Sequence, residues 1–209
     1  MKRTKLKDRI LPKYSKGEEI FNMTSHIVGG ALGIVALVLC VVFAAIHHNG
    51  YGVVSGAIYG VTMILLYTMS SIYHGLKPER FSKKVFQVLD HCSIFLLIAG
   101  SYTPFCLCTF REYNTALGWT IFGIIWAIAI LGIVYLIVRM YLENDAMIKA
   151  RYLAKEYMEE KEISTKEEIE KMIQQYDIVN DLGIKCVHYQ LALNVLAKIA
   201  ILSLVCFWR

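Results

Sequence analysis

Charge is scarce in this chain. Only 19% of its 209 residues are Asp, Glu, Lys or Arg, against 56% hydrophobic, and the mean hydropathy is +0.49. That balance excludes an ordinary soluble domain and points to a membrane protein. Cysteines at metal-binding spacing are also missing. Of the six (Cys40, Cys92, Cys106, Cys108, Cys186, Cys206), only Cys106 and Cys108 are close, and one intervening residue is not a zinc-ligand spacing. No Gly-x-Ser-x-Gly elbow occurs. Its absence, with Ser70 and His74 on one helix, argues against a serine-hydrolase triad. No cleavable signal peptide is expected, because the basic stretch 1–16 leads into an apolar run of spanning length without a small-residue cleavage pattern. The net charge of +5 calls for no nucleic acid. The basic residues cluster beside apolar runs and read as anchors on anionic membrane lipid.

What the chain does contain is apolar length. A bilayer core of about 30 Å takes roughly 20 helical residues. Runs at 27–46, 52–73, 85–108 and 117–138 meet that length, and 187–208 is read as a fifth despite Lys198 near its middle. The expected fold is all-α, a polytopic transmembrane bundle with a cytoplasmic helical hairpin. Its parts are a basic N-terminus (1–20), the bundle (21–140), a charged helical segment (141–185) and a C-terminal apolar helix (186–209).

Loop charge orients the bundle. Lys2, Arg3, Lys5, Lys7, Arg9, Lys13 and Lys16 precede the first run, while 47–51 holds no Lys or Arg. Lys77, Arg80, Lys83 and Lys84 fill the second connection, only Arg111 lies in the third, and Lys149, Arg151 and Lys155 follow the fourth run. The alternation predicts a cell-membrane protein with a cytoplasmic N-terminus.

Gly52, Gly56 and Gly60 form a small-residue stripe, which leaves intramolecular packing and a homo-oligomer both open. Pro104 predicts a kink in the outer half of the third run. In the charged segment, Ser164-Thr165-Lys166-Glu167 reads as a capping box and Asp181-Leu182-Gly183 as a helix stop. Between them Ile169, Met172, Ile173 and Tyr176 recur at helical spacing, an apolar face for the membrane or for a protein partner of 141–185.

The residues suited to chemistry share one membrane depth. Ser70 and His74 are four apart on one helix face at the cytoplasmic end of the second run. Asp90 and His91 lie about one turn into the third. His26 starts the first run, and His188 reaches the same level if the last run re-enters from the cytoplasm. His47 and His48 fall on the opposite side. Polar groups near hydrocarbon cost several kcal/mol unless they serve a partner, a cavity or an ion. The spacing leaves two readings open: a metal site, in which a carboxylate beside imidazole orients metal-bound water, or a hydrogen-bonded His74–Asp90 pair between helices.

Three segments sharpen the choice. Gly17-Glu-Glu-Ile-Phe-Asn-Met-Thr-Ser-His26, Ser70-Ser-Ile-Tyr-His74 and Leu89-Asp-His-Cys-Ser-Ile-Phe-Leu-Leu-Ile-Ala-Gly-Ser-Tyr-Thr-Pro-Phe105 resemble the bacterial hemolysin III family, within the progestin and adiponectin receptor superfamily. The resemblance covers residues 16–138, about three-fifths of the chain. It implies seven helices, a cytoplasmic N-terminus and a zinc site near the cytoplasmic face. In that site His74 is a ligand, Asp90 contacts the metal through water, and Ser70 completes the Ser-x3-His element. It also implies a membrane-active, cytolytic role, or zinc-dependent hydrolysis of lipid amides with Asp90 and Ser70 as catalytic groups. The family's later His-x3-His pair has no counterpart after Val138, as in a divergent, truncated or frameshifted member. His26 or His188 is then the substitute ligand. A non-catalytic membrane protein whose hairpin binds a partner is the remaining alternative.

Overall fold

The computed structural model describes residues 5–179 and 182. Its contacts divide the chain into two units, Met1–Asn144 and Asp145–Arg209. Among the described residues, four helices are long and apolar enough to cross a membrane. The expected fifth run at 187–208, with His188 and Lys198, lies outside the described residues, as do Asp181 and Gly183 of the predicted stop.

Helix α1 (Lys16–Ile46) begins eleven residues before its apolar run. Ser15 caps it: its Oγ accepts from the Glu18 N–H at 3.2 Å, and a Glu18 carboxylate oxygen accepts from the Ser15 N–H at 2.7 Å. Two orphan donors are thereby satisfied reciprocally, so the helix starts in polar sequence and carries Glu19 in its first turn. After His48, at φ 52°, Asn49 caps α2 (Gly50–Gly75) by accepting from the Gly52 N–H at 2.9 Å.

The two helices pack antiparallel along the glycine stripe. A Cβ placed on Gly52, Gly56 or Gly60 would strike the Cβ of Ala44, Cys40 or Leu37. The stripe is therefore an intramolecular contact, in which missing side chains let two backbones approach.

Helix α3 (Phe81–Pro104) packs on α2, with Gly100 against Thr62. Pro104 supplies no N–H for the ladder. The chain answers with a wide π-helical turn over Phe105–Phe110, whose Cys106 carbonyl accepts from the Arg111 N–H. A short turn, α4 (Arg111–Tyr113), leads to α5 (Thr115–Glu160). Helix α5 returns beside α3: Trp126 Nε1 donates to Thr103 Oγ1 at 3.2 Å, and Gly132 seats against the Phe95 ring.

Inside and outside are reversed relative to a soluble bundle. Ser55, Thr62, Ser93 and Thr103 are buried, whereas Leu32, Val35, Leu39 and Phe43 of α1 are exposed. Small polar groups that bond within helices let neighbours pack closely, and the apolar stripe is left for lipid. This is a multi-span membrane protein.

In the second unit, Lys161–Thr165 turns the chain, with Glu162 at φ 50°, into α6 (residues 166–179). Its cap stands one residue beyond the predicted one. Thr165, not Ser164, exchanges hydrogen bonds with Glu168: Thr165 N–H donates at 2.8 Å and Thr165 Oγ1 accepts from the Glu168 N–H at 3.4 Å. Ile169 is buried and Met172, Ile173 and Tyr176 are half-buried, while Arg151 and Asp177 approach to 3.5 Å. The predicted apolar face closes a helical hairpin.

Candidate functional site

At the end of the bundle where α1 starts and α2 finishes, a carboxylate holds two partners, an imidazole and an ammonium. Glu19 Oε2 lies 2.6 Å from His74 Nδ1, and Glu19 Oε1 lies 2.7 Å from Lys83 Nζ. The side chains are little exposed: His74 8%, Glu19 17%, Lys83 2%. Lys83 Nζ also donates to the Leu76 carbonyl at 2.9 Å and stands 5.0 Å above the Tyr73 ring. A buried ammonium costs several kcal/mol unless paired and hydrogen-bonded. Here it has a carboxylate, a carbonyl and an aromatic face. Lys83, read from sequence as a loop anchor on lipid, is instead a core residue.

The His74 ring is enclosed by other rings. Its centroid lies 4.7 Å from that of Tyr73, 5.7 Å from Tyr14 and 6.0 Å from His26. His26 Nδ1 is buried and has no hydrogen-bond partner among the described residues. Ser70 is buried one turn before His74. Asp90 Oδ2 lies 3.7 Å from His91 Nδ1, which itself approaches the Gln87 carbonyl at 2.7 Å. Of the two open readings, the interhelical pair exists with a different carboxylate: His74 pairs with Glu19.

A strap of N-terminal chain closes over this end. Arg9 Nε donates to Gln87 Oε1 at 2.6 Å, and Arg9 Nη1 to the Met140 carbonyl at 3.4 Å. The Ile10 N–H donates to Asn144 Oδ1 at 3.0 Å. Burial lowers the Arg9 pKa from its usual value, and nearby Tyr73, Glu143 and Tyr141 oppose the shift. Burial raises the Tyr14 pKa first, and the charges of Glu19, Asp90 and Glu18 raise it further. Tyr14 thus senses both the Glu19 and Asp90 carboxylates.

Sequence reasoning missed Glu19, Lys83 and the strap. One signal was available: Glu19 and His26 are seven apart on α1, and Lys83, Gln87 and Asp90 recur at i, i+4, i+7 on α3, so each set shares a face. As a metal site, the described residues fit in part. His26 offers an orphaned ring nitrogen beside His74, yet no three His, Cys, Asp or Glu side chains converge on a metal position among the described residues.

Comparison with known proteins identifies the family. Hemolysin-3 of Bacillus cereus is 43% identical over 132 residues, which cover 62% of this chain and 58% of the relative. The Hemolysin-3 homolog of Bacillus subtilis (strain 168) is 40% identical over 118 residues, covering 56% and 54%. The chain thus spans little more than half the length of these relatives. No solved structure matches. Residues 14–157 match the family model described as Haemolysin-III related, and the chain belongs to that family.

Proposed function

We propose that this chain is a membrane-active, cytolytic protein of the hemolysin III kind, set in the cell membrane with its N-terminus in the cytoplasm, and that its polar centre serves zinc. The contact of 2.6 Å between Glu19 Oε2 and His74 Nδ1 carries the reading. Metal-ligating histidines usually give one ring nitrogen to a carboxylate, which fixes the tautomer and raises the basicity of the other. The orphaned Nδ1 of His26, one ring away, is the second donor. Zinc bound there supplies Lewis acidity and lowers the pKa of a bound water. The chain's own part is positional: Glu19 orients His74, Lys83 anchors Glu19, and Asp90 orients water. His188, outside the described residues, is the further histidine assigned to the site.

Zinc analysis of the purified full chain tests this. Stoichiometric zinc is expected, lost in His74→Ala and bound about 10–100-fold more weakly in Glu19→Gln. No zinc retained by the unaltered chain overturns the metal reading. Dose-dependent red-cell leakage with size-dependent osmotic protection is the outcome expected of the membrane-active role; no leakage overturns it. Attaching a reporter at the N-terminus and scoring which side of the cell membrane it occupies tests the orientation.

A second reading, hydrolysis of lipid amides, is favoured by Ser70, buried one turn from His74. It predicts lipid-amide turnover that Asp90→Ala abolishes, and turnover unchanged in that variant rejects it.

A further inference from the structure

At the opposite end of α2, a cavity of about 700 Å³ opens among His47, His48, Tyr51, Val54, Arg111 and Glu112. Helix α2 separates it from His74 by roughly 37 Å at 1.5 Å per residue. We propose that this cavity binds the phosphodiester of a membrane lipid headgroup, with Arg111 as its principal ligand.

Arg111 is built to hold an anion. Its Nε donates to the Leu107 carbonyl at 2.8 Å, and its guanidinium carbon lies 3.5 Å from the Tyr51 ring centroid. A hydrogen bond and a stacked face together fix the plane of the group. Its two terminal nitrogens make no hydrogen bond among the described residues, so a planar fork remains for two phosphate oxygens. Preorganisation of this sort lowers the ordering cost that a free surface arginine pays on binding.

The other groups narrow the ligand. Asn49 already accepts from the Gly52 N–H, so the first turn of α2 is capped by its own chain and the attracting charge is that of Arg111. His47 Nδ1 lies 2.8 Å from the Phe43 carbonyl, which leaves Nε2 as the ring atom open to the cavity's ligand. Glu112 adds a negative charge beside Arg111. It disfavours a phosphate dianion and tolerates the single charge of a phosphodiester.

The surroundings place that phosphate in a membrane. Trp119 packs edge-on to Tyr51 with centroids 6.5 Å apart, and Tyr113 is exposed. Aromatic rings at the ends of apolar helices mark the depth of lipid headgroups.

Binding is read on the purified full chain in detergent, by native mass spectrometry, with three probes: short-chain phosphatidylglycerol, the matching diacylglycerol without phosphate, and inorganic phosphate. Phosphatidylglycerol is expected to bind at least tenfold more tightly than diacylglycerol, and Arg111→Gln to remove that preference. Glu112→Gln is expected to keep phosphatidylglycerol binding and to admit inorganic phosphate. Because Arg111→Gln also removes a bond to Leu107, protection is measured on the unaltered chain as well. Phosphatidylglycerol should slow phenylglyoxal modification of Arg111 at least fivefold, and diacylglycerol should not. Equal binding of both lipids, or no protection of Arg111, overturns the proposal. Inorganic phosphate binding the unaltered chain as tightly as phosphatidylglycerol overturns the lipid as the source.

Discussion

Lys83 Nζ and Glu19 Oε1 meet at 2.7 Å from positions 64 residues apart, joining the start of α3 to the first turn of α1. The pair is a fastening in a region where water is scarce. Glu19→Ala leaves a buried ammonium with only a carbonyl and a ring, and removing one partner of such a pair costs about 3–5 kcal/mol. Thermal unfolding in detergent should show that loss. Lys83→Met combined with Glu19→Leu should recover most of it. A Glu19→Ala protein as stable as the unaltered chain contradicts the assignment.

Gly60 is the tightest point of the α1–α2 stripe. A Cβ there meets Leu37 at its Cα as well as its side chain, so rotamer change alone does not relieve it. Gly60→Ala should destabilise by about 1–3 kcal/mol, the usual range for overpacking. Gly123, whose Cβ would meet nothing within 4 Å among the described residues, is the control, and Gly123→Ala should be neutral or slightly stabilising. Equal melting of the two variants refutes the close-packed stripe.

Tyr14 gives a pH signature. Burial and the carboxylates of Glu19, Asp90 and Glu18 raise its folded pKa above the ordinary tyrosine value of about 10. The fold therefore favours the protonated phenol. That contribution is fully present below the unfolded pKa and is lost as pH rises through the folded one. Stability should fall above about pH 10, and Tyr14→Phe should flatten the fall. A Tyr14→Phe curve that runs parallel to the original rejects this account.

Glu168 has the opposite sign. Hydrogen bonds from Thr165 hold its carboxyl below the usual carboxylate range. Its contribution to the start of α6 is present above the unfolded pKa and is lost as pH falls through the lower folded value. Helix content of the hairpin, followed by circular dichroism, should drop on acidification in the unaltered chain. Glu168→Gln should lack that component; the same drop in both proteins argues against the cap.

Length and hydropathy sufficed for four spans, since roughly twenty consecutive apolar residues have few alternatives to a membrane helix. They did not reveal where the helices begin. Ser15 and Glu18 extend α1 into charged sequence that no hydropathy window counts, and Glu19 sits in that extension. For the same reason His74 was legible and its partner was not: the motif names the imidazole, while a pairing across 55 residues depends on packing. Lys83 misled because charge near a loop usually means solvent or headgroups, and only three-dimensional contact shows an ammonium turned inward. The strap from Leu6 to Tyr14 left no trace in composition, because its backbone bonds to Asn144 and Lys84 have no periodicity.

The π turn after Pro104 has a consequence for chain length. Such a turn absorbs one more residue than an α-turn, so the chain downstream keeps the facing of a straight helix one residue shorter, whereas an unabsorbed residue rotates everything after it by about 100°. The stacking of Arg111 on Tyr51 is thus timed by counting as much as by chemistry. Inserting one residue into the plain α-helical part of α3, where nothing absorbs it, would rotate Arg111 by about 100° and carry the guanidinium off the ring, although every contacting side chain was still encoded.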